Sequence, residues 1–174
     1  LDVIRANPSL FEAEILTAQT NDELLITQAM EFRPNAVVIG DSSRYEKVKA
    51  ALSSTDIKVF AGETALEEVA DFDIYDMMLA GIVGFAGLKP TLKAVEKGKA
   101  IGLANKETLV VAGDIVMQKA IDKRVPMIAV DSEHSAIFQC VVGEVRNPIE
   151  KIILTASGGP FLGKKPNFLV NVKR

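Results

Sequence analysis

The stretch Ala36-Val37-Val38-Ile39-Gly40, followed at once by Asp41-Ser42-Ser43, decides how this chain folds. Five successive residues without a polar side chain predict a strand buried on both faces, because a half-exposed strand would alternate apolar and polar residues. Both faces of a strand are buried when helices cover the two sides of a parallel sheet. The hydroxyl and carboxyl groups after Gly40 are typical of helix caps. The stretch therefore predicts one strand–helix unit of an α/β fold.

The same alternation of strand and helix extends in both directions from this unit. Further strands are predicted at residues 13–18, 58–61, 74–82, 100–104 and 126–130. Helices are predicted at residues 22–32, after the cap at 41–43 up to residue 52, and at 64–69, 88–96 and 107–122, and Thr20 or Asn21 caps the first of them. The pattern predicts right-handed βαβ units, with one parallel sheet and helices on both faces over residues 1–125. Residues 149–155 predict one more strand.

Composition narrows the function classes. The chain has 174 residues, enough for one domain and part of a second, and its net charge of −3 argues against a nucleic acid or an anionic membrane surface as partner. No apolar run reaches the roughly 18 residues of a membrane span. The start, Leu1-Asp2-Val3-Ile4-Arg5, lacks both a signal-peptide pattern and a Met, so we expect the N-terminus to lie upstream. The single cysteine, Cys140, predicts a buried thiol and fits a reducing compartment such as the cytoplasm.

Ligands of such a sheet bind at the carboxyl ends of its strands, which makes the residues after each strand candidate site residues. These residues lie at positions 20–21, 40–41, 81–84, 105–107 and 131–134. In Gly81-Ile82-Val83-Gly84-Phe85-Ala86-Gly87, three glycines would let the backbone approach a ligand closely. The G-x-x-G-x-x-G spacing is unspecific, and on this segment alone a tight strand-to-helix turn is the stronger interpretation.

The segment Asn105-Lys106-Glu107 lies between an apolar strand and a helix. Asn105 can donate and accept hydrogen bonds, and Lys106 offers a mobile cation for a phosphate or a developing oxyanion. Glu107 lies in the first helical turn, where the helix dipole alone favours a carboxylate. The alternative for Lys106 is an exposed surface lysine, which its position at a strand end makes less favoured.

The segment Asp131-Ser132-Glu133-His134 follows the last predicted strand. Two carboxylates two residues apart in extended backbone project to the same side and would supply hard oxygen ligands for Mg²⁺ or Mn²⁺. Helix capping before residues 135–141 is a serious alternative for both acids. His134 is the only histidine, and its position beside two carboxylates makes it a candidate catalytic residue; a packed or capping histidine is the alternative.

The segment Thr155-Ala156-Ser157-Gly158-Gly159-Pro160-Phe161 places hydroxyls and glycines after the final predicted strand. Backbone N–H groups and the Ser157 hydroxyl would suit a phosphate there. A tight turn that ends at a rigid proline is the structural alternative.

Together and in this order, the motifs resemble the 1-deoxy-D-xylulose 5-phosphate reductoisomerase family over essentially all 174 residues. The matching pieces are Leu1-Asp2-Val3, Gly81-Ile82-Val83-Gly84 with Gly87-Leu88 and Pro90-Thr91-Leu92, Leu103-Ala104-Asn105-Lys106-Glu107, Asp131 to Gln139, and Leu154 to Phe161. The string from Asp131 to Gln139 is highly specific for the family. The resemblance implies a Rossmann-like NADPH-binding domain over residues 1–125, followed by the start of an α/β catalytic domain at 126–174.

The resemblance also implies a role for particular residues. Asp131 and Glu133 match the metal ligands for Mg²⁺, Mn²⁺ or Co²⁺, and Lys106, Ser132, Glu133 and Ser157 match substrate-contacting positions. Positions along NADPH are matched by Ala18, Gln19, Thr20, Asn21, Gly81, Ile82, Asn105 and Glu107. Many members have Gly and Lys at the centre of the 18–21 loop, where this chain departs from the family pattern with Gln19 and Thr20. The resemblance therefore implies that the catalytic residues are Lys106, Asp131, Glu133 and His134.

The implied reaction is the NADPH- and metal-dependent rearrangement and reduction of 1-deoxy-D-xylulose 5-phosphate, a small sugar phosphate, to 2-C-methyl-D-erythritol 4-phosphate for isoprenoid synthesis. A cytoplasmic homodimer is a family expectation, with a plastid-type compartment if the source is eukaryotic. The resemblance places a glycine-rich phosphate loop before Leu1. It places a flap with His-Pro and Trp, and a further metal-ligand Glu with Asn-Lys, after Arg174.

Two other functions fit parts of the pattern. A homoserine dehydrogenase-like NAD(P) enzyme also carries Ala-Asn-Lys after a strand, but needs no carboxylate pair like Asp131 and Glu133. A non-catalytic nucleotide-binding module would leave Asn105, Lys106 and both acids as unrelated surface residues. Metal-dependent activity separates the first from a reductoisomerase, and an NADPH titration separates the second.

Overall fold

The computed structural model describes residues 1–154, 158–170 and 172–173. It divides the chain into two compact units, Leu1–Asp131 and Ser132–Arg174, which are described separately. Among these residues, no helix has both the length and the apolar composition needed to cross a membrane.

The first unit contains every strand and helix that the sequence predicts there, and a helix at residues 2–6 that it does not predict. The strand at residues 58–61 has the predicted bounds, and the other strands are shorter than predicted. The strands are β1 (Ile15–Ala18), β2 (Ala36–Ile39), β3 (Lys58–Ala61), β4 (Met77–Ala80), β5 (Ala100–Leu103) and β6 (Met127–Ala129). The helices are α1 (Asp2–Ala6), α2 (Asp22–Phe32), α3 (Tyr45–Ala51), α4 (Glu63–Ala70), α5 (Leu88–Glu96) and α6 (Lys106–Lys123), which is kinked at Ala112. Short 3-10 turns at Ser42–Arg44 and Phe85–Gly87 precede α3 and α5. The prediction of an α/β fold is confirmed.

All strand pairs of the unit are parallel, but they form two sheets. β2 lies between β1 and β3, with Ala36 opposite both Ile15 and Lys58. β5 lies between β4 and β6 in the same way. The expectation of one continuous sheet is therefore wrong for the described residues, because β1 and β4 do not pair and each forms an edge. A ladder of backbone hydrogen bonds extends only where two strand edges lie side by side.

The first sheet is covered on both faces. Side chains alternate along β2, so Val37 and Ile39 point to one face and Val38 to the other. Val37 and Ile39 pack against Leu25 and Ala29 of α2 and against Val48 and Leu52 next to or within α3. Val38 packs against Ala65, Leu66 and Val69 of α4. All four residues of β2 are buried, which confirms the two-sided burial that its sequence predicts.

The second sheet differs, because only one of its faces is covered among the described residues. Ala80, Ile101 and Leu103 pack against residues of α5 and α6. Leu79 and Ile128 point the other way, and the Leu79 residue is 65% exposed. The expectation of helices on both faces therefore holds for the first sheet alone, since α5 and α6 contribute to a single core cluster.

The second unit contains α7 (Ser132–Val141) and α8 (Pro166–Leu169). The strand expected at 149–155 is wrong for residues 149–154, which form neither strand nor helix, and Thr155 lies outside the described residues. Ile149 and Ile153 are exposed there, and a strand needs a neighbouring strand to satisfy its backbone. The buried thiol expected at Cys140 is also wrong: Cys140 is exposed, because no residue of α7 is buried among the described residues.

A network of charges joins the starts of α2 and α3. The Asp22 carboxylate is 5% exposed and forms ion pairs with Arg44 at 2.8 Å and with Lys47 at 2.6 Å. Arg44 also contacts Asp41 at 3.1 Å. The pKa of Asp22 is lowered, chiefly by the hydrogen bond from Lys47; burial opposes this shift, and the hydrogen bond from Arg44 adds to it. A nearly buried carboxylate is thus kept ionised by two cations.

The pH dependence of stability tests this network. A carboxyl group whose pKa falls on folding stabilises the folded protein at pH values above the ordinary pKa of the group, 3.8. This contribution is lost as the pH falls through the lowered pKa. We expect Asp22→Asn to lower the free energy of unfolding at neutral pH and to flatten its decline below that value. Urea unfolding over a series of pH values measures both effects.

Asp56→Asn is the matched control, because Asp56 is exposed and joins none of the salt bridges found among the described residues. Its unfolding curve should follow that of the unaltered protein at every pH. If Asp22→Asn gives the same curve as this control, the network does not stabilise the fold.

Candidate functional site

Three loops meet at the carboxyl ends of β4, β5 and β6. The Asn105 backbone N–H donates to Ala80 O at 2.9 Å, and the Val130 N–H donates to Leu103 O at 3.0 Å. These bonds continue the ladders beyond the strands, so the loops after all three strands start side by side. The structure thereby brings together the glycine loop, the Asn105-Lys106-Glu107 segment and Asp131, as the strand-end argument predicts.

Asn105 is buried, with 3% of the residue exposed, and its side chain has three protein partners. Its Oδ1 accepts the Thr108 N–H at 3.0 Å and so caps α6. Its Nδ2 donates to the carbonyl oxygens of Ile82 and Gly84, the latter at 2.9 Å. Both amide hydrogens are thereby committed to the loop after β4.

The glycines of that loop serve different purposes. A Cβ at Gly87 would lie 2.6 Å from the Asn105 Nδ2 and 2.8 Å from Ile82 O, so the position has no room for a side chain. Gly84 adopts a φ of +74°, which favours glycine. Gly81 is exposed, and a Cβ there would meet nothing within 4 Å. The tight turn weighed against a ligand loop is thus present at Gly87, while Gly81 leaves open space beside the backbone.

Thr91 is a member of this region that the sequence reasoning missed. Its hydroxyl, fully buried in α5, donates to Gly87 O at 2.7 Å. A threonine on the apolar face of an otherwise amphipathic helix is the signal that could have found it, since a buried hydroxyl needs a partner.

Lys106 and Asp131 form an ion pair across the ends of β5 and β6. The Lys106 Nζ lies 3.7 Å from the Asp131 Oδ2, and the two side chains are 56% and 8% exposed. Lys106 is therefore exposed, as its structural alternative supposes, yet its charge balances a carboxylate that is nearly buried. Glu107 lies in the first turn of α6, where the helix dipole stabilises it.

The remaining residues of the acidic motif lie in α7, which begins at Ser132. The prediction that Asp131 and Glu133 project to the same side of an extended segment is therefore wrong. The helix that was the alternative for this segment is present. The Ser132 hydroxyl donates to the Glu133 carboxylate at 3.0 Å, and His134 is exposed in the same turn. Within residues 1–154, 158–170 and 172–173, no group of three or more His, Cys, Asp and Glu side chains could hold a metal ion.

The loop after β1 occupies the corresponding edge of the first sheet. Ala18 is partly buried, whereas Gln19 and Thr20 are exposed. The Gln19 side chain lies over Gly40, where a Cβ would collide with it. Asn21 caps α2 by accepting the Leu24 N–H at 3.1 Å, which decides between the two caps predicted. Ser157, the last predicted site residue, lies outside the described residues.

Two protein-family models match the chain. The model for 1-deoxy-D-xylulose 5-phosphate reductoisomerase matches residues 1–113. The model for the C-terminal domain of the same enzyme matches residues 127–174.

Curated relatives extend the match. The chain is 55% identical over 161 residues to the 1-deoxy-D-xylulose 5-phosphate reductoisomerase of Bacteroides fragilis, covering 92% of this chain and 42% of that protein. It is 52% identical over 162 residues to that of Porphyromonas gingivalis, covering 93% and 42%. The chain therefore spans less than half the length of these relatives.

Two solved structures of reductoisomerases are also similar to this chain. The reductoisomerase of Zymomonas mobilis, solved in complex with NADPH, matches with a TM-score of 0.86 and 39% identity, over 98% of this chain and 45% of that one. A DOX-P reductoisomerase solved with NADPH, fosmidomycin and magnesium matches with a TM-score of 0.83 and 35% identity, over 98% and 44%. On sequence and fold alike, the chain belongs to the 1-deoxy-D-xylulose 5-phosphate reductoisomerase family.

Proposed function

We propose that the protein carrying this chain converts 1-deoxy-D-xylulose 5-phosphate to 2-C-methyl-D-erythritol 4-phosphate with NADPH and a divalent metal, in isoprenoid synthesis. The observation that carries the proposal is the ion pair of Lys106 with the nearly buried Asp131, 3.7 Å apart where the loops after β4, β5 and β6 meet. In a member of the reductoisomerase family, this places a mobile cation and a hard anion at the edge of the sheet where α/β enzymes bind their ligands.

NADPH would lie along the carboxyl ends of the strands. Gly81 is exposed and leaves open space, which suits close approach of a flat cofactor. We assign cofactor binding to the loop after β1, to the loop after β4 and to the start of α6, through Ala18, Gln19, Thr20, Asn21, Gly81, Ile82, Asn105 and Glu107. The related Zymomonas mobilis enzyme was solved with NADPH, which supports NADPH as the cofactor.

Asp131 and Glu133 would hold the metal. The Asp131 carboxylate is nearly buried and has a cation, Lys106, as its neighbour, so a metal ion could take over the balance of its charge. Carboxylate oxygens are the ligands that Mg²⁺ and Mn²⁺ prefer. When bound, such an ion acts as a Lewis acid on oxygens of the substrate.

The substrate contacts fall to Lys106, Ser132, Glu133 and Ser157. The Lys106 ammonium is half exposed, so it can turn from Asp131 toward a bound ligand and add positive charge where an oxyanion forms. The Ser132 hydroxyl, which donates to Glu133 at 3.0 Å, orients that carboxylate. His134 is exposed in the same helical turn, and we assign it to the catalytic group on the family resemblance.

For the organisation of the protein, we propose that residues 1–125 form the NADPH-binding domain and residues 126–174 open the catalytic domain. A homodimer in the cytoplasm fits the family expectation and the bacterial origin of the relatives.

Metal binding tests the role of Asp131. In the natural protein, Asp131→Asn keeps the shape of the side chain and removes its charge. We expect Mn²⁺ affinity, measured by calorimetry, to fall by an order of magnitude or more because charged oxygen ligands dominate binding of hard cations. NADPH affinity should change little.

Asp114→Asn is the control for this variant, because Asp114 is exposed on α6. It should bind Mn²⁺ like the unaltered protein. Unchanged Mn²⁺ affinity in Asp131→Asn would remove Asp131 from the metal site.

Catalysis tests the role of Lys106. Loss of one donor that stabilises an oxyanion costs about 2.7–4 kcal/mol, so Lys106→Ala should lower kcat/KM by roughly a hundredfold or more. The melting temperature should move little, because the side chain is half exposed and its ion pair is long.

Lys89→Ala is the matched control, since Lys89 pairs with Glu67 at 3.1 Å on the helical surface. That variant should keep its kcat/KM. The assignment of Lys106 to the mechanism fails if Lys106→Ala is as active as this control.

A further inference from the structure

Asn105 makes two kinds of contact, which can be separated chemically. Its oxygen accepts the Thr108 N–H at 3.0 Å and caps α6. Its nitrogen donates one hydrogen to Ile82 O and the other to Gly84 O. A side-chain amide has two hydrogens, so none remains for a ligand while this arrangement holds.

Gly87 packs closely against the Asn105 side chain and the Ile82 carbonyl group. The space that its side chain would need is taken by the Asn105 nitrogen at 2.6 Å and by Ile82 O at 2.8 Å. The Gly87 carbonyl is in turn held by the buried Thr91 hydroxyl at 2.7 Å. The loop after β4 is therefore fixed to α6 through Asn105 and to α5 through Thr91, with contacts that exclude even a methyl group at position 87.

The residues on either side of these contacts are those assigned to cofactor and substrate. Gly81 and Ile82 lie in the loop, and Lys106 and Glu107 lie in the first turn of the helix that Asn105 caps. One buried side chain thus sets the position of two groups of site residues. Ile82 also packs against the core cluster that contains Val38 and the buried residues of α4, so a shift of the loop would disturb this packing.

We infer that Asn105 is a positioning residue for NADPH binding: it holds the loop backbone of residues 82–84 against the start of α6. This inference rests on the proposed function, because it takes NADPH as the ligand of the loop. If Asn105 acts through the loop, damage to the loop from the Gly87 side must reproduce its loss.

The test compares Asn105→Asp with Gly87→Ala in the natural protein. Asn105→Asp keeps an oxygen that can cap α6, but turns a carboxylate toward two carbonyl oxygens in place of two donors. Gly87→Ala leaves the Asn105 side chain chemically intact and forces it away from Ile82 O. Each variant should weaken NADPH binding, measured by fluorescence titration, by about tenfold or more, the cost of one or two lost buried hydrogen bonds.

Gly113→Ala is the matched control, because a Cβ at Gly113 would meet only Leu109 Cβ, at an ordinary 3.8 Å. It should bind NADPH like the unaltered protein. The double variant Asn105→Asp with Gly87→Ala should bind NADPH about as weakly as either single variant, since both break the same contact. Losses that multiply, or a Gly87→Ala variant with normal affinity, overturn the inference.

Hydrogen exchange in the cofactor-free protein gives a readout that needs no NADPH. Amides of residues 82–87 should exchange faster in both variants, whereas the last turns of α6 should keep their protection. If exchange of the loop is unchanged, Asn105 does not hold it and the inference fails. If the unaltered protein binds no NADPH, the proposed function fails. The inference that Asn105 positions the loop for NADPH then fails with it, even if the exchange data show that Asn105 holds the loop.

Discussion

Backbone carbonyl groups that are partly withdrawn from water need hydrogen-bond donors, and in the loop after β4 the Asn105 side chain supplies them. The carbonyl groups of Ile82 and Gly84 both point to its amide nitrogen, while its oxygen satisfies an N–H group in the first turn of α6. A single buried amide thereby satisfies two carbonyl groups of the loop and one N–H group at the start of the helix. The position of the loop after β4, and of Lys106 and Glu107 on the helix, depends on this.

Each of the two sheets has a nearly buried aspartate that is paired with a cation. Asp22 and Asp131 are nearly buried, and each has a more exposed cation as its partner. At Asp22 two cations lie within 2.8 Å, which makes a tight structural network. At Asp131 the lysine lies 3.7 Å away and is more than half exposed. The ion pair of Lys106 with Asp131 is therefore longer than both ion pairs of Asp22.

The two sheets are built by the same alternation but differ in how they are covered. Helices pack on both faces of the first sheet, around Val37 and Val38. In the second sheet, α5 and α6 lie on one side, and Gly102 on the other side leaves Leu79 and Val130 close to the backbone of β5. Apolar side chains of β4 and β6 therefore remain exposed in the described residues. The covered face is the one that anchors the helix whose first turn carries Lys106.

Most strands and helices of the first unit could be predicted from local sequence patterns, and so could the strand ends at which the polar segments lie. Apolar runs such as Ala36–Ile39 and caps such as Asn21 act through neighbours a few residues away, so local chemistry was enough to predict them. The motif from Asp131 to Gln139, together with the other motifs in their order, likewise predicted the family. Only the tertiary structure decided that the strands form two sheets, that Cys140 is exposed, and that residues 149–154 form no strand. It alone showed that Asn105 joins α6 to a loop more than twenty residues earlier. These outcomes depend on which distant groups become neighbours, and a periodic pattern along the chain carries no information about that.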